Sequence, residues 1–468
     1  MPCAAPSCCA KCSGRRSACV ERRWTPSFFI RTPRGNSGVL FNAGWVSTRI
    51  SGIHPADVSR RPNILWIVTT QWRAMACGYA GDANARTPWL DGLASEAVDF
   101  RQAVTPHPLG PQARAALLTG RLCPENGVRD YWDPLPATAR TVAHALGDRG
   151  YVTGFFGKWH LGARARDVPF VGEAHARQIV PAAERGGFAF WEGFEGGFLL
   201  NDPWLHGTRL PEPAQFKGYQ ADVLCTRAGH WLRETAARNT DGTRPCFVVV
   251  SLEAPHPPYH APVPHVHEPA GKELQLRANV PRGGEVERQA RDELAGYYAH
   301  IEATDRAIGR LLSEIDLAGT IVVFTSVHGD MHGAHGLFRK AWPHEESVRV
   351  PLLIRGLRAQ NRGRKDDSPV SLVDLPHMAV AWAEGHEWHC KRDSAAISMP
   401  APTEIPLQCP HAWRGFRTAR HKLVLHTGPD GRETPWLFFD LADDPLEMRN
   451  LAEDPARSGE LREWRQWL

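Results

Sequence analysis

The chain has 468 residues, 42% of them hydrophobic, and a formal net charge of +4. That length supports one large domain with a smaller one beside it, and no apolar run approaches the ~20 residues needed to span a membrane. Residues 1–60 hold nine Lys and Arg against two acidic residues, +7, which leaves −3 for the rest; the main body is slightly acidic and no nucleic-acid partner is expected.

Five of the 11 cysteines (Cys3, Cys8, Cys9, Cys12 and Cys19) crowd into this basic leader. A zinc knuckle is one reading, but no His lies among them and paired CxxC units are missing. A disordered leader, or residues outside the mature protein, is the expectation for 1–60, with Val58 a candidate true start. No continuous apolar segment marks a secretory signal, so a cytoplasmic location is the default.

Ile64–Thr69 (ILWIVT) is apolar without alternation, as in a strand covered on both faces. Ala113–Thr119 runs as a helix into Gly120, so the loop Pro108–Gln112 sits at a helix N-terminus, where backbone N–H groups favour an anion. Thr141 caps a helix that ends before Gly150, and the strand Tyr151–Phe156 follows. Cys246–Leu252 is a further buried strand, Leu294–Ile315 keeps helical spacing, and Ile321–Thr325 is the next strand. This alternation predicts an α/β domain over 61–385 with a large, mostly parallel sheet flanked by helices. Short strands at Phe416–Thr418, Lys422–Leu425 and Trp436–Leu441, a turn at Gly428–Gly431 and a helix Ser458–Trp467 predict a C-terminal antiparallel subdomain over 386–468.

Polar clusters follow each main strand: Thr70-Gln71, Lys158-Trp159-His160, Pro255-His256 and Val327-His328-Gly329-Asp330. Ligands of open α/β sheets bind outside the carboxyl ends of strands, so these clusters are expected to face one pocket.

The stretches ARAALLTGR, GYVTGFFGKWHLG, SLEAPHPPYHAP and IVVFTSVHGDMHGAHGLFRKAWPHEES resemble the sulfatase family, and the likeness extends from about Arg61 to Leu468. It implies an alkaline-phosphatase-like fold and a sulfuric ester hydrolase site. On that likeness Arg114, Lys158, His160, His256 and Lys340 match the basic residues that grip sulfate and handle protons. Cations in a shielded pocket both bind a sulfate ester and stabilise charge on its leaving oxygen. The family's nucleophile is a Cys or Ser converted to formylglycine, and that position is Gly110, with Gln112 where the motif has Pro; no Cys or Ser occurs from Thr105 to Ala113. The family's calcium ligands match Gln71 and His328, but its two carboxylate positions are Thr70 and Val327. A hard cation needs several charged oxygens, so calcium binding is expected to be lost or very weak. Asp202, Trp204, His206 and Tyr259 are expected to line the substrate side.

The expectation is a sulfatase-like protein, inactive or severely impaired, that retains a pocket for a sulfated or other anionic small molecule or glycan. Two alternatives stand beside it: an active ester hydrolase using another nucleophile or a metal-bound water, and an interaction protein with a vestigial pocket. His328, Asp330, His332 and His335 in HGDMHGAHG are a candidate Zn²⁺ or Mn²⁺ set for the first alternative. Export, common in the family, is not signalled in the chain, and oligomeric state is not readable.

Overall fold

The computed structural model describes residues 61–164, 171–239, 242–266, 268–357, 361–388, 392–466 and 468; the expectations for 1–60 and for Trp467 lie outside them. The central strand is β1 (Asn63–Thr69). Successive side chains of a strand point to opposite faces, so Leu65 and Ile67 enter one buried cluster while Ile64, Trp66 and Val68 enter another. Both sides being buried, the run has no polar residue to alternate with.

Along the chain follow α1 (Pro88–Glu96), β2 (Ala97–Phe100), β3 (Ala103–Val104), α2 (Gly110–Thr119), α3 (Val142–Gly147), β4 (Val152–Lys158) and α4 (Glu173–Ala176). Next come β5 (Phe190–Phe194), β6 (Trp204–Gly207), β7 (Ala214–Gln215), α5 (Gln220–Arg238), β8 (Cys246–Ser251), α6 (Glu285–Ser313) and β9 (Thr320–Ser326). Then α7 (Glu345–Val348), β10 (Leu352–Arg355), β11 (Lys365–Asp366), β12 (Val370–Ser371) and α8 (Leu375–Ala383) complete the main body. Its large sheet has the order β11-β2-β10-β9-β1-β8-β4-β5-β6-β7. The central strands β9, β1, β8, β4 and β5 are parallel, while β10 and β6 join antiparallel on either side.

Helices α1, α5 and α6 cover one face, placing Leu90, Leu224, Trp231 and Ile301 beside Leu65. Helices α2, α3 and α8 cover the other, placing Leu117, Leu146 and Met378 beside Trp66. The C-terminal sheet is β13 (Ser394–Met399), β14 (Ala412–Thr418), β15 (His421–Thr427) and β16 (Glu433–Asp440), antiparallel in that order, followed by α9 (Ser458–Arg465). Its apolar face shares a core with Leu109, Tyr131 and Ala341, which adjoin the pocket segments.

Several boundaries differ from the sequence expectation. Helix α2 starts at Gly110, three residues before Ala113, so Gly110 is itself the first helical residue. Helix α6 starts at Glu285, well before Leu294; its first turns hold only Val286 and Ala290 as apolar residues among charged ones, too weak a pattern to mark the start. Thr141 does cap α3, its side chain accepting from Ala143 N, with His144 closing the capping box. Cys77, Cys123, Cys225, Cys246 and Cys409 are buried free thiols.

Gly157 carries a packing constraint that bears on the site. It sits at φ +103 beside β8, and a Cβ there would stand 2.1 Å from the Ser251 backbone oxygen. Gly157→Ala is expected to cost on the order of 3 kcal/mol through overpacking and an unfavourable backbone angle. The lower urea midpoint should be accompanied by weaker anion binding, because Lys158 is the next residue.

Candidate functional site

The carboxyl ends of β1, β4, β8 and β9 converge with the N-terminus of α2. Arg114, 4% exposed, projects from α2 into the middle of them. Its Nη2 donates to Thr70 Oγ1 at 2.8 Å, and its Nη1 donates to Ser251 Oγ at 2.6 Å and to the Lys158 carbonyl at 3.1 Å. All three partners are neutral oxygens. Burial lowers the guanidinium to about 10, and an anion in the pocket would be its natural counter-charge.

Lys158 is buried at the end of β4, its Nζ 2.5 Å from Glu253 Oε1 and 4.5 Å from the centre of the Phe198 ring. Burial lowers its pKa, and Glu253 opposes that shift. Phe198 in turn stacks on His256, ring centres 4.6 Å apart and nearly coplanar. His256 Nδ1 donates to the Pro257 carbonyl at 2.8 Å, which leaves Nε2 to accept from Lys340 Nζ at 3.0 Å. Lys340 also donates to Gln71 Oε1 at 2.7 Å, and burial pushes it down to about 7 against the pull of Asp330. Gln71 Nε2 faces Tyr259 and Asp330, and the Tyr259 hydroxyl donates to Asp330 at 2.7 Å.

His160 approaches from the other side, its Nε2 3.2 Å from the Tyr131 hydroxyl. Its Nδ1 is buried without a partner and faces Gly110, where a Cβ would stand 2.8 Å away. His328 donates from Nδ1 to the Gly329 carbonyl at 2.9 Å, and its Nε2 is buried and unpaired. Burial, reinforced by nearby cations, holds His160, His256 and His328 well below the usual imidazole range, so all three are neutral at pH 7. Gln71, His160, Phe198 and Arg339 have φ between +53 and +69, so backbone strain gathers around this pocket.

Gly110, Arg114, Lys158, His160, His256, Lys340, Gln71, Thr70 and His328 thus come together. Val327 turns into the core beside Trp66 and offers no ligand atom. Thr70 Oγ1 is already engaged, accepting from Arg114 and donating to the Leu252 carbonyl at 3.0 Å. Tyr259 lies inside, among the polar groups. The other three expected substrate residues stand apart from this network. Asp202 pairs with Lys217 at 2.9 Å, Trp204 packs under the Arg177 guanidinium at 4.8 Å, and His206 is buried against Trp191 with Nε2 accepting from Val180 N at 2.8 Å. The HGDMHGAHG set also separates: Asp330 serves Gln71 and Tyr259, His332 packs against Tyr297 at 4.3 Å, and His335 stacks on His344 at 4.6 Å. Sequence reasoning missed Ser251, Glu253 and Phe198; the first two lie inside the SLEAPH stretch, one strand end from His256.

A shielded ring of basic groups at the carboxyl edge of a doubly covered sheet defines an oxyanion-site α/β protein of the alkaline-phosphatase-like kind. Residues 62–386 match the Sulfatase family model, and the chain belongs to the sulfatase family. It is 33% identical over 435 residues to an ulvan-active sulfatase of Formosa agariphila, covering 87% of this chain and 80% of that one. A choline-sulfatase of Rhizobium meliloti is 27% identical over 437 residues, covering 84% and 83%. The solved structure of the YidJ protein from Bacteroides fragilis superposes with a TM-score of 0.76 at 25% identity, covering 89% of this chain and 97% of that one. Sulfatases typically use a calcium ion. No helix among the described residues is long and apolar enough to cross a membrane.

The loop that presents Gly110 depends on a neutral histidine. His107 Nε2 accepts from Cys123 N at 2.9 Å while Nδ1 faces the Ser398 carbonyl at 3.1 Å, and burial lowers its pKa to about 4. The unfolded chain, with an ordinary pKa of about 6.5, therefore binds the extra proton first, and stability falls as pH drops from about 6.5 to 4. This residue contributes a loss of about 3 kcal/mol over that window. Urea midpoints measured from pH 7 to 4.5 should fall less steeply in His107→Gln; an identical slope would remove His107 from the acid response.

Proposed function

We propose that this sulfatase-family protein binds a sulfated small molecule or glycan, or another tetrahedral oxyanion, and hydrolyses sulfate esters negligibly. Gly110 carries the reading. Sulfatase chemistry needs a nucleophilic side chain at this position, and here an α-carbon with no side-chain atom faces the unpaired His160 Nδ1. There is nothing to convert to formylglycine and no group for the neighbouring histidines to activate.

The metal side supports the same reading. A calcium ion needs charged oxygens, whereas Val327 is buried in the core, Thr70 Oγ1 serves Arg114 and Leu252, and Gln71 Oε1 takes the Lys340 ammonium. These residues do not fit the ion, and no step is routed through it. What the pocket retains is recognition. Arg114 offers a guanidinium, Lys158 and Lys340 offer amino groups that a bound anion would hold protonated, and α2 begins beside them at Gly110, where helix N-terminal N–H groups favour an anion. The names of the relatives, among them an N-acetylglucosamine-6-O-sulfatase and a choline-sulfatase, favour a sulfated glycan or small molecule as the ligand class.

Turnover of a fluorogenic aryl sulfate and an aryl phosphodiester, with added Ca²⁺, Mn²⁺ or Zn²⁺, should equal that of Lys340→Ala under every condition. Metal-dependent turnover that disappears in Lys340→Ala overturns the proposal. Sulfate should raise the melting temperature of the parent and leave Lys340→Ala unmoved. For calcium, the parent should show no Ca²⁺-dependent thermal shift.

A further inference from the structure

Away from the pocket, three metal-ligating side chains meet between the main body and the C-terminal sheet. His335 comes from the HGDMHGAHG loop, Glu346 from α7 and Glu447 from the segment after β16; one ligand atom of each lies within 4.8 Å of the others. The surrounding hydrogen bonds are incomplete. Glu346, 1% exposed, accepts at Oε1 from Arg277 (3.0 Å) and Asn279 (2.9 Å), while its Oε2 has no partner. Asn279, 3% exposed, turns Nδ2 towards Glu346 Oε1, His335 Nε2 (3.2 Å) and the Leu446 carbonyl (3.3 Å), so two hydrogens face three acceptors. Its Oδ1 is buried with no partner, as is Nδ1 of His344, which stacks on His335. Buried polar atoms left unmatched cost about 1–3 kcal/mol each, and such a group of them at one point calls for a ligand.

Cations already surround the cluster: Lys422 Nζ contacts both Glu345 and Glu447 at 2.7 Å, Arg417 and Arg349 pair with Glu345, and Arg277 pairs with Glu346. Glu447 Oε2 accepts from Glu345 N at 2.7 Å, so the observation that points to a ligand is the unmatched Glu346 Oε2 and Asn279 Oδ1 rather than a charge deficit. His335 Nε2 lies 3.2 Å from Asn279 Nδ2, and a neutral imidazole can present a ring nitrogen to an ion.

We propose that His335, Glu346 and Glu447, assisted by Asn279, bind one divalent transition-metal ion of the Zn²⁺ or Mn²⁺ kind that ties the C-terminal sheet to the main body. One imidazole and two carboxylates suit such an ion. Donors about 2.1 Å from a metal stand about 3.4 Å apart in a tetrahedron, so the cluster closes by roughly 1 Å through side-chain rotation. Rotation of the Asn279 amide then brings Oδ1 to the ion. The site shares no ligand with the oxyanion pocket and does not depend on its activity.

The test is metal content and thermal stability of the full chain, stripped with EDTA and then titrated with Zn²⁺ or Mn²⁺ alone. One equivalent should bind and raise the melting temperature by several degrees. His335→Ala, a half-buried position, should weaken binding at least tenfold, and Glu346→Gln should do the same. His328→Ala, in the pocket, should leave binding unchanged. Failure of the unmutated chain to take up metal overturns the proposal; so does uptake that survives in His335→Ala, or uptake lost in His328→Ala and kept in His335→Ala, which places the ion in the pocket.

Discussion

The architecture of the pocket depends on a buried guanidinium that has neutral partners. Arg114 reaches Thr70 at the end of β1, the Lys158 carbonyl at the end of β4 and Ser251 at the end of β8, so one side chain from α2 fastens three strand ends together. A charge taken out of water without a counter-charge is costly, and several hydrogen bonds from one rigid fork are what make it tolerable. Lys158 is handled differently, with Glu253 beside it. The asymmetry gives the site its polarity: one cation is neutralised by a carboxylate within the protein, while the other is held by neutral oxygens alone.

That arrangement was partly legible from the sequence because it rides on the most legible elements. Strands β1, β4, β8 and β9 are buried on both faces and therefore read as unbroken apolar runs, and the residues that follow them fall where open α/β sheets bind ligands. Placing Lys158, His160, His256 and His328 around one point needed only those strand ends and the parallel order. What failed was everything that depends on exposure or on small residues. Strands β2 (AVDF) and β10 (LLIR) are short and each carries a charged residue, and β13 (SAAISM) has too few large apolar side chains to show a period. His206 lies in β6, two residues after Trp204, and reads as a candidate ligand contact until Trp191 is seen to cover it. Distances such as that between His335 and Glu447 span more than a hundred residues and leave no trace in local spacing.

The C-terminal sheet does more than cap the main body. Its core includes Leu109 and Ala341, the residues adjoining Gly110 and Lys340, so the packing that secures the sheet also fixes two corners of the pocket. Arg417 of β14 grips Glu345 with two hydrogen bonds of 3.0 and 2.9 Å, and Lys422 of β15 reaches the same carboxylate. Breaking a buried pair by removing one partner leaves an uncompensated charge, which is far costlier than the pair is favourable. These contacts therefore act chiefly to specify one docking geometry, and the pocket inherits that precision.

Charge balance explains how such a site keeps its form under the proposed reading. A calcium ion with two carboxylates sums to no net charge, so losing all three together leaves the field on the remaining cations nearly as it was. Losing the carboxylates alone would leave a dication among Arg114, Lys158 and Lys340 with little to hold it; losing the ion alone would leave two acids in hydrogen-bonding reach of those cations, filling the place of an anionic ligand. Thr70 keeps a hydroxyl that still accepts from Arg114, and Val327 fills its volume with carbon in the core beside Trp66. On that reading the substitutions remove a metal and its counter-charges as a unit and leave a basic ring suited to holding an oxyanion.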